Sequence, residues 1–234
     1  MKMTAELERL RTRVIDIARA AGRCVMEIHA RATIDVRIKA DASPVTLADE
    51  QAHALITERL AALTPDIVIV SEEASAPTRA PAPECCFWLV DPLDGTTNFV
   101  NGIPFFGVAI AYIEEGRTRH GVVYNPMTDE AFYAEEGGGA FLNGNALPLR
   151  TPARHLLDAV AGVDFKRIPK ALGDALATQS PFYSQRNFGS SALEWCFIAA
   201  ARLDVYLHGG QMMWDFAAGS LIAAEAGARC SMLD

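Results

Sequence analysis

The 234-residue sequence is short of positive charge: 21 Lys and Arg stand against 29 Asp and Glu, a net charge of −8. That is the wrong sign for a protein that grips nucleic acid through its phosphates, so no general nucleic-acid partner is expected. There is no C-x-x-C and no His at zinc-ligand spacing. The five cysteines, Cys24, Cys85, Cys86, Cys196 and Cys230, read as free thiols of a reducing compartment. Neither a G-x-x-x-x-G-K-[ST] loop nor a dinucleotide fingerprint occurs, which excludes the common nucleotide-binding motifs, and Gly137-Gly138-Gly139 reads as a hairpin loop. The longest uncharged run, Gly95 to Ile113, has the length of a membrane span, but Thr96, Thr97, Asn98, Asn101, Gly102 and Pro104 break it. The first residues lack an apolar signal segment, and Glu6, Glu8, Asp16 and Glu27 interleave with the arginines there, so a cytoplasmic protein without a membrane partner is expected.

What is present is ordinary globular material, 50% hydrophobic and 21% charged, enough for a substantial core. At roughly 150 residues per domain this is one large domain or two modest lobes. Leu7, Leu10, Val14, Ile17, Ala21, Val25 and Ile28 recur at three- and four-residue steps, which predicts one long amphipathic helix. A second helix is expected from about Asp49 to Leu63, ended by Thr64-Pro65. Short β-rich runs follow at 67–70, 86–90, 106–113, 121–124 and 130–134, separated by Glu115-Gly116, Asn125-Pro126 and the triple glycine, and they read as an antiparallel meander. Pro148 to Pro152 makes a hinge. It divides residues 1–148, a helix pair with an antiparallel sheet, from residues 149–234, an α/β lobe. In that second lobe a strand at 159–163, helices at 169–178, 191–202 and 216–226, and a strand at 205–207 are expected, with Ser191 and Glu194 as a capping box.

The chemistry concentrates in Trp88-Leu-Val-Asp91-Pro-Leu-Asp94-Gly-Thr96-Thr-Asn-Phe99. A buried strand runs into a turn in which Pro92 fixes φ and Gly95 can take φ > 0, so both carboxylates can face one point beyond the strand end. The Gly95 and Thr96 amides lie beside them as a nest for a phosphate oxygen. Taken alone the segment is also an ordinary solvated turn. Glu72 and Glu73 directly follow another strand run, and Asp215 opens a helix, where it could equally be an N-cap. Asp49 likewise could be a plain first-turn acid. Acids brought together without Lys or Arg repel one another and call for a cation. Oxygen donors without His or Cys select Mg2+ or Mn2+ over Zn2+, and Mg2+ commonly bridges to phosphate.

With these three blocks, Glu72-Glu73, Trp88 to Phe99 and Trp214-Asp215-x-x-Ala-Gly219, the chain resembles the inositol monophosphatase superfamily of metal-dependent, lithium-sensitive sugar phosphatases over nearly its whole length. The resemblance implies an α/β fold of α+β layered type, the two-lobed αβαβα sugar-phosphatase arrangement, with the site at the junction of the lobes. It implies that Glu72, Asp91 and the Leu93 carbonyl hold a first metal and Asp91, Asp94 and Asp215 a second, two or three Mg2+ ions in all, with Mn2+ an alternative. Thr96, supported by Asp49, and Glu72 would serve the attacking water, and the Gly95 and Thr96 amides would bind phosphate. Lys39 looks like the family's basic residue near the site. Ser190, Ser191, His208 and Arg186 fall among the substrate-facing positions with Asp94, and the family's habit implies a homodimer acting on a small phosphorylated substrate.

The sequence departs from the family in places. Counting back from Asp215, the acid that contacts inositol hydroxyls is matched by His208, whose imidazole offers a different hydrogen-bonding set. Lys166, Arg167 and Arg186 could hold a second anionic group, as in a bisphosphate or nucleotide substrate, or be scattered surface charges. Family chains continue past the helix after Trp-Asp, whereas this one stops at Asp234, so either the chain is shortened or the final sheet edge is absent. A haloacid-dehalogenase-type phosphatase would place its two acids two residues apart, and here Asp91 and Asp94 are three apart. The remaining rival is a regulatory binding protein that keeps the fold without turnover.

Overall fold

The computed structural model describes residues 2–31, 35–38, 44–74 and 85–231, with side chains from Arg9 onward. Helix α1 (Lys2–His29) is followed by a small hairpin, β1 (Val36–Ile38) and β2 (Pro44–Thr46), and by α2 (Leu47–Leu63). Strands β3 (Val68–Ser71), β4 (Phe87–Asp94), β5 (Gly107–Glu114), β6 (Arg117–Asn125), β7 (Glu130–Glu135), β8 (Gly139–Leu142) and β9 (Asn145–Ala146) form one sheet in that spatial order, with the short helix α3 (Thr96–Val100) between β4 and β5. Strand β10 (Val160–Val163), α4 (Lys170–Thr178), β11 (Ser184–Arg186), α5 (Ser191–Ala199), β12 (Val205–Leu207) and α6 (Met213–Glu225) complete the chain, with a parallel sheet ordered β11-β10-β12.

Five layers result. The side chains of β4 and β5 alternate between two cores: Trp88, Val90, Val108 and Ile110 pack with Val14, Ile17, Val25, Ile56 and Leu60 of α1 and α2. Phe87, Leu89, Ala109 and Ala111 pack with Leu193, Cys196, Ala217 and Ile222 of α5 and α6. Period-two alternation on a strand buried on both faces makes this division. Beyond α5 and α6, Ala161, Val163, Ile168 and Leu176 join the small sheet to α4 in a third cluster. Close approach of α6 needs Gly121 on β6, because a Cβ there would lie 2.8 Å from the Ala218 carbonyl oxygen. Among the described residues no helix is long and apolar enough to cross a membrane.

Several sequence expectations need correction. The large sheet is not a pure meander, since β3 runs parallel to β4, with Val70 beside Leu89 and Ser71 beside Val90. Parallel pairing delivers Glu72 and Asp91 to the same end of the sheet, and the Glu72 N–H donates to the Val90 carbonyl at 3.1 Å. The segment between Asp91 and Asp94 is no sharp turn but a bulge within β4: Asp91 opposes Ala109 and Asp94 opposes Gly107, so three steps on one strand match two on the other. Pro92, which cannot join a regular ladder, sits in that bulge. Helix α5 is capped by Ser190 without a side-chain cap bond, so Ser191 and Glu194 form no capping box. Asp215 is the third residue of α6 rather than its N-cap, and its carboxylate accepts from the Met212 N–H at 2.8 Å.

Candidate active site

The bulge in β4 re-aims the strand end, and Gly95 beyond it takes φ +87°, a left-handed conformation open to glycine. A Cβ at Gly95 would crowd the Phe105 carbonyl at 3.1 Å and Ser190 Cβ at 3.2 Å, so the chain here is pinned between the segment that leads into β5 and the loop before α5. Asp94 is clamped from that loop: Ser190 Oγ donates to its Oδ2 at 2.5 Å and the Ala192 N–H at 2.8 Å. Ser190 therefore reaches a carboxylate of the site, a role that spacing along the chain does not assign. Asp91 is 2% exposed, and its Oδ1 accepts from the Leu93 N–H at 3.1 Å.

Burial first, then the charges of Glu72, Asp94 and Asp215, hold the Asp91 carboxyl well above the ordinary carboxylate range. Asp94 is pushed up to about 7 by burial and by Asp215, against the hydrogen bonds from Ser190 and Ala192. Asp215 is pushed up to about 6, chiefly by burial, with Glu72 adding to it and the Arg167 charge working against it. These acids, from the ends of β3 and β4 and the first turn of α6, thus sense one another's charge. Among the described residues, however, no three His, Cys, Asp or Glu side chains are already drawn together as a finished ion site. The donor set fits a hard cation in its chemistry: it is all oxygen, with Asp91 buried and Glu72, Asp94 and Asp215 half-buried, and its carboxylates repel one another.

Thr96 opens α3, and its hydroxyl lies 3.1 Å from Asp49 Oδ1 and 3.0 Å from the Leu93 carbonyl. Asp49 is 1% exposed and closes a capping box on α2, its Oδ2 accepting from both the N–H and the Oγ1 of Thr46 at 2.7 Å. Both readings of Asp49 therefore hold together, helix-start acid and partner of Thr96. Burial raises its pKa against the bonds from Thr46 and Thr96. One turn further along α2, His53 Nδ1 sits 2.8 Å from Ser71 Oγ, tying α2 to the strand that delivers Glu72. Sequence reasoning missed His53; its i, i+4 spacing from Asp49 was the available signal.

The other substrate-side candidates are placed differently. Ser191 Oγ lies 3.1 Å from the Tyr206 hydroxyl and bonds Gln211 Nε2, while Trp195 Nε1 donates to Gln211 Oε1 at 3.3 Å. Arg186 folds back on its own strand, donating to Ser184 Oγ at 2.6 Å and the Gln185 carbonyl at 2.8 Å. His208 Nε2 lies 3.2 Å from Asp164 Oδ2. Lys39 lies outside the described residues. Glu194, which the sequence offered only as a capping residue, is 2% exposed and pushed up to about 8 by burial, and it accepts from the Phe188 N–H at 3.5 Å in the loop that ends at Ser190.

Comparison with known proteins places this geometry. Residues 6–234 match the model of the inositol monophosphatase family. An inositol-1-monophosphatase of Mesorhizobium japonicum is 35% identical over 206 residues, 86% of this chain and 76% of the relative. A protein named Nus factor SuhB from Vibrio cholerae is 39% identical over 189 residues, 79% of this chain and 70% of the relative. Among solved structures, an IMPase of Thermotoga maritima superposes with a TM-score of 0.82 at 32% identity, covering 94% of this chain and 84% of that one. The extragenic suppressor protein suhB of Bartonella henselae gives 0.81 at 33% identity, covering 92% and 84%. The chain belongs to the inositol monophosphatase family.

Proposed function

We propose that this protein is a Mg2+-dependent phosphatase that hydrolyses a small phosphate monoester of a sugar or polyol by direct attack of water, without a phosphoenzyme. The observation that carries the reading is Asp91: a 2%-exposed carboxylate whose dominant influences are burial and three further acids, with no Lys or Arg among them. Such a group is stable as an anion only beside a cation. Glu72, Asp91, the Leu93 carbonyl, Asp94 and Asp215 would hold two or three Mg2+ ions, or Mn2+ in their place. Bound there, the ions would supply a water of lowered pKa and neutralise charge developing on the phosphoryl and leaving oxygens.

The protein's own groups then have distinct tasks. Asp49 accepts from the Thr96 hydroxyl, which leaves Thr96 Oγ1 free to accept a hydrogen bond from the attacking water and to pass its own proton to Asp49 as it takes one from that water, with Glu72 just past the end of β3. Gly95 and Thr96 present N–H groups where the phosphate would rest. The Ser190 and Ala192 clamp fixes one Asp94 oxygen and leaves the other to face the site. Lithium inhibition, the cytoplasmic setting and a homodimer extend the same reading from the family.

A second reading has a specific observation behind it, because several relatives carry the name Nus factor SuhB, at 36% to 39% identity. In that reading the fold serves as a regulatory binding protein. Phosphate release from inositol 1-phosphate with Mg2+, in the native protein and in Asp94→Asn, separates the two. The phosphatase reading expects turnover that Asp94→Asn abolishes. No release from any phosphate monoester at saturating Mg2+ would overturn it.

A further inference from the structure

The loop that follows β10 and the loop that follows β12 emerge side by side, because those strands are parallel neighbours with Val163 beside Leu207. They are in backbone contact: the Asp164 N–H donates to the Leu207 carbonyl at 3.0 Å, and a Cβ on Gly209 would lie 1.8 Å from the Arg167 carbonyl oxygen. The second loop continues directly into Met212, whose N–H binds Asp215. Whatever stands on this loop pair therefore stands beside the acid site.

His208, which a count back from Asp215 matches to the acid expected to contact sugar hydroxyls, has a partner facing each ring nitrogen. The Gly210 N–H donates to Nδ1 at 3.2 Å, which requires Nδ1 to be unprotonated, so the ring proton lies on Nε2, which faces Asp164 Oδ2 at 3.2 Å. Burial lowers the ring's pKa from the ordinary value, against the pull of Asp164 and with the Arg167 charge adding to the shift. With Nδ1 occupied and Nε2 turned to Asp164, the ring offers a hydroxyl no free acceptor.

Arg167 is in the opposite condition. It is exposed, and it spends one N–H on the Gly210 carbonyl at 3.0 Å. Among the described residues no carboxylate lies within ion-pair distance of it. Its remaining donors form a planar fork suited to phosphate or carboxylate. Its charge also works on Asp215, lowering that carboxyl's pKa against burial.

Building on the phosphatase reading above, we infer that Arg167 binds a second anionic group, phosphate or carboxylate, on the alcohol side of the substrate, and that His208 and Asp164 are the positioning pair that holds the Arg167 loop against the loop before Asp215. The substrate class becomes a phosphate monoester whose leaving alcohol is itself an anion, not a neutral polyol.

The test is kcat/KM for fructose 1,6-bisphosphate and 3-phosphoglycerate, each divided by kcat/KM for inositol 1-phosphate, in the full chain with Mg2+. The two anionic probes separate a phosphate from a carboxylate as the second group. In Arg167→Gln at least one ratio falls tenfold or more through KM, and Arg167→Lys, which keeps a point charge without the fork, falls between. His208→Ala moves the same ratio the same way. An unchanged ratio in Arg167→Gln, or an equal loss on all three esters, would mean that Arg167 serves Asp215 alone and would overturn the inference. So would a His208→Ala variant that loses inositol 1-phosphate more than the anionic esters. If no ester is turned over, the phosphatase reading has failed, and calorimetric binding of the same three compounds to the Mg2+-loaded protein still decides the anion site: native protein binds an anionic probe at least tenfold tighter than inositol 1-phosphate and Arg167→Gln does not, and equal binding in both overturns it.

Discussion

Asp94 and Asp204 make an instructive pair. Each is a largely buried aspartate that accepts two hydrogen bonds from the protein: Asp94 from Ser190 and Ala192, Asp204 from the N–H groups of Ala153 at 2.8 Å and Val160 at 2.9 Å. Their carboxyls are nevertheless driven in opposite directions. At Asp204 burial is outweighed by those N–H groups and by Arg150, 3.6 Å away, and the pKa falls below the ordinary value. At Asp94 burial is joined by Asp215 and Glu72, and the pKa rises to about 7. Hydrogen-bond satisfaction is similar in the two places; the sign of the neighbouring charge is not. Asp204, which braces the fold, has Arg150 beside it, whereas the charges that act on Asp94 are those of Asp215 and Glu72.

The largest effect that would break the comparison is on turnover. Asp94→Asn should lose about 10³-fold or more in phosphate release, since several kcal/mol of transition-state stabilisation depends on the ions it would hold. Asp204→Asn should keep its turnover per folded molecule. It should instead lose about 1–3 kcal/mol of stability in urea unfolding, because an amide nitrogen cannot accept from a backbone N–H. If both variants lost activity alike, the distinction between the two aspartates would be empty.

The next effect is on stability against pH without divalent ions. Asp94 and Asp215 have folded pKa values raised above their unfolded ones, so the folded state binds more protons than the unfolded state between about pH 4 and 7. Their contribution is therefore most favourable at low pH and is lost as pH rises through 6 to 7. Metal-free protein should melt several degrees lower at pH 8 than at pH 5.5, and added Mg2+ should recover more at pH 8 than at pH 5.5. A melting temperature flat across that window, with and without Mg2+, would contradict the raised carboxyls of Asp94 and Asp215.

The smallest effect concerns Glu194, with its pKa pushed up to about 8. Glu194→Gln, which mimics the protonated acid and keeps an oxygen for the Phe188 N–H, should change stability at pH 7 by under about 1 kcal/mol. Above pH 8 the native protein should lose stability relative to the variant, as the raised pKa requires. Parallel denaturation midpoints from pH 7 to 9 would show that the carboxyl does not titrate there.

Much of this was legible in the sequence because it rests on local rules. The period of α1, the extent of α2 to Leu63 and the strand at Val205–Leu207 follow from patterning, and the run from Trp88 to Phe99 announces its acids by their spacing. The parallel pairing of β3 and β4 was not legible, since it depends on a crossover and not on anything within either strand. The β4 bulge was hidden because a Pro and a Gly near two acids also describe a turn, and only the count against β5 distinguishes them. The clamp on Asp94 spans 96 residues of sequence to Ser190, and the contact of His208 with Asp164 is set by two loops meeting in space. Residue types were readable at long range; partners were not.

The most direct test of the acid site as an ion site is Mn2+ binding followed by electron paramagnetic resonance in the native chain, Asp94→Asn and Asp204→Asn. Native protein and Asp204→Asn should take up Mn2+ alike, and Asp94→Asn should lose at least one ion or bind far more weakly. Equal uptake by all three proteins, or none by the native chain, would contradict it.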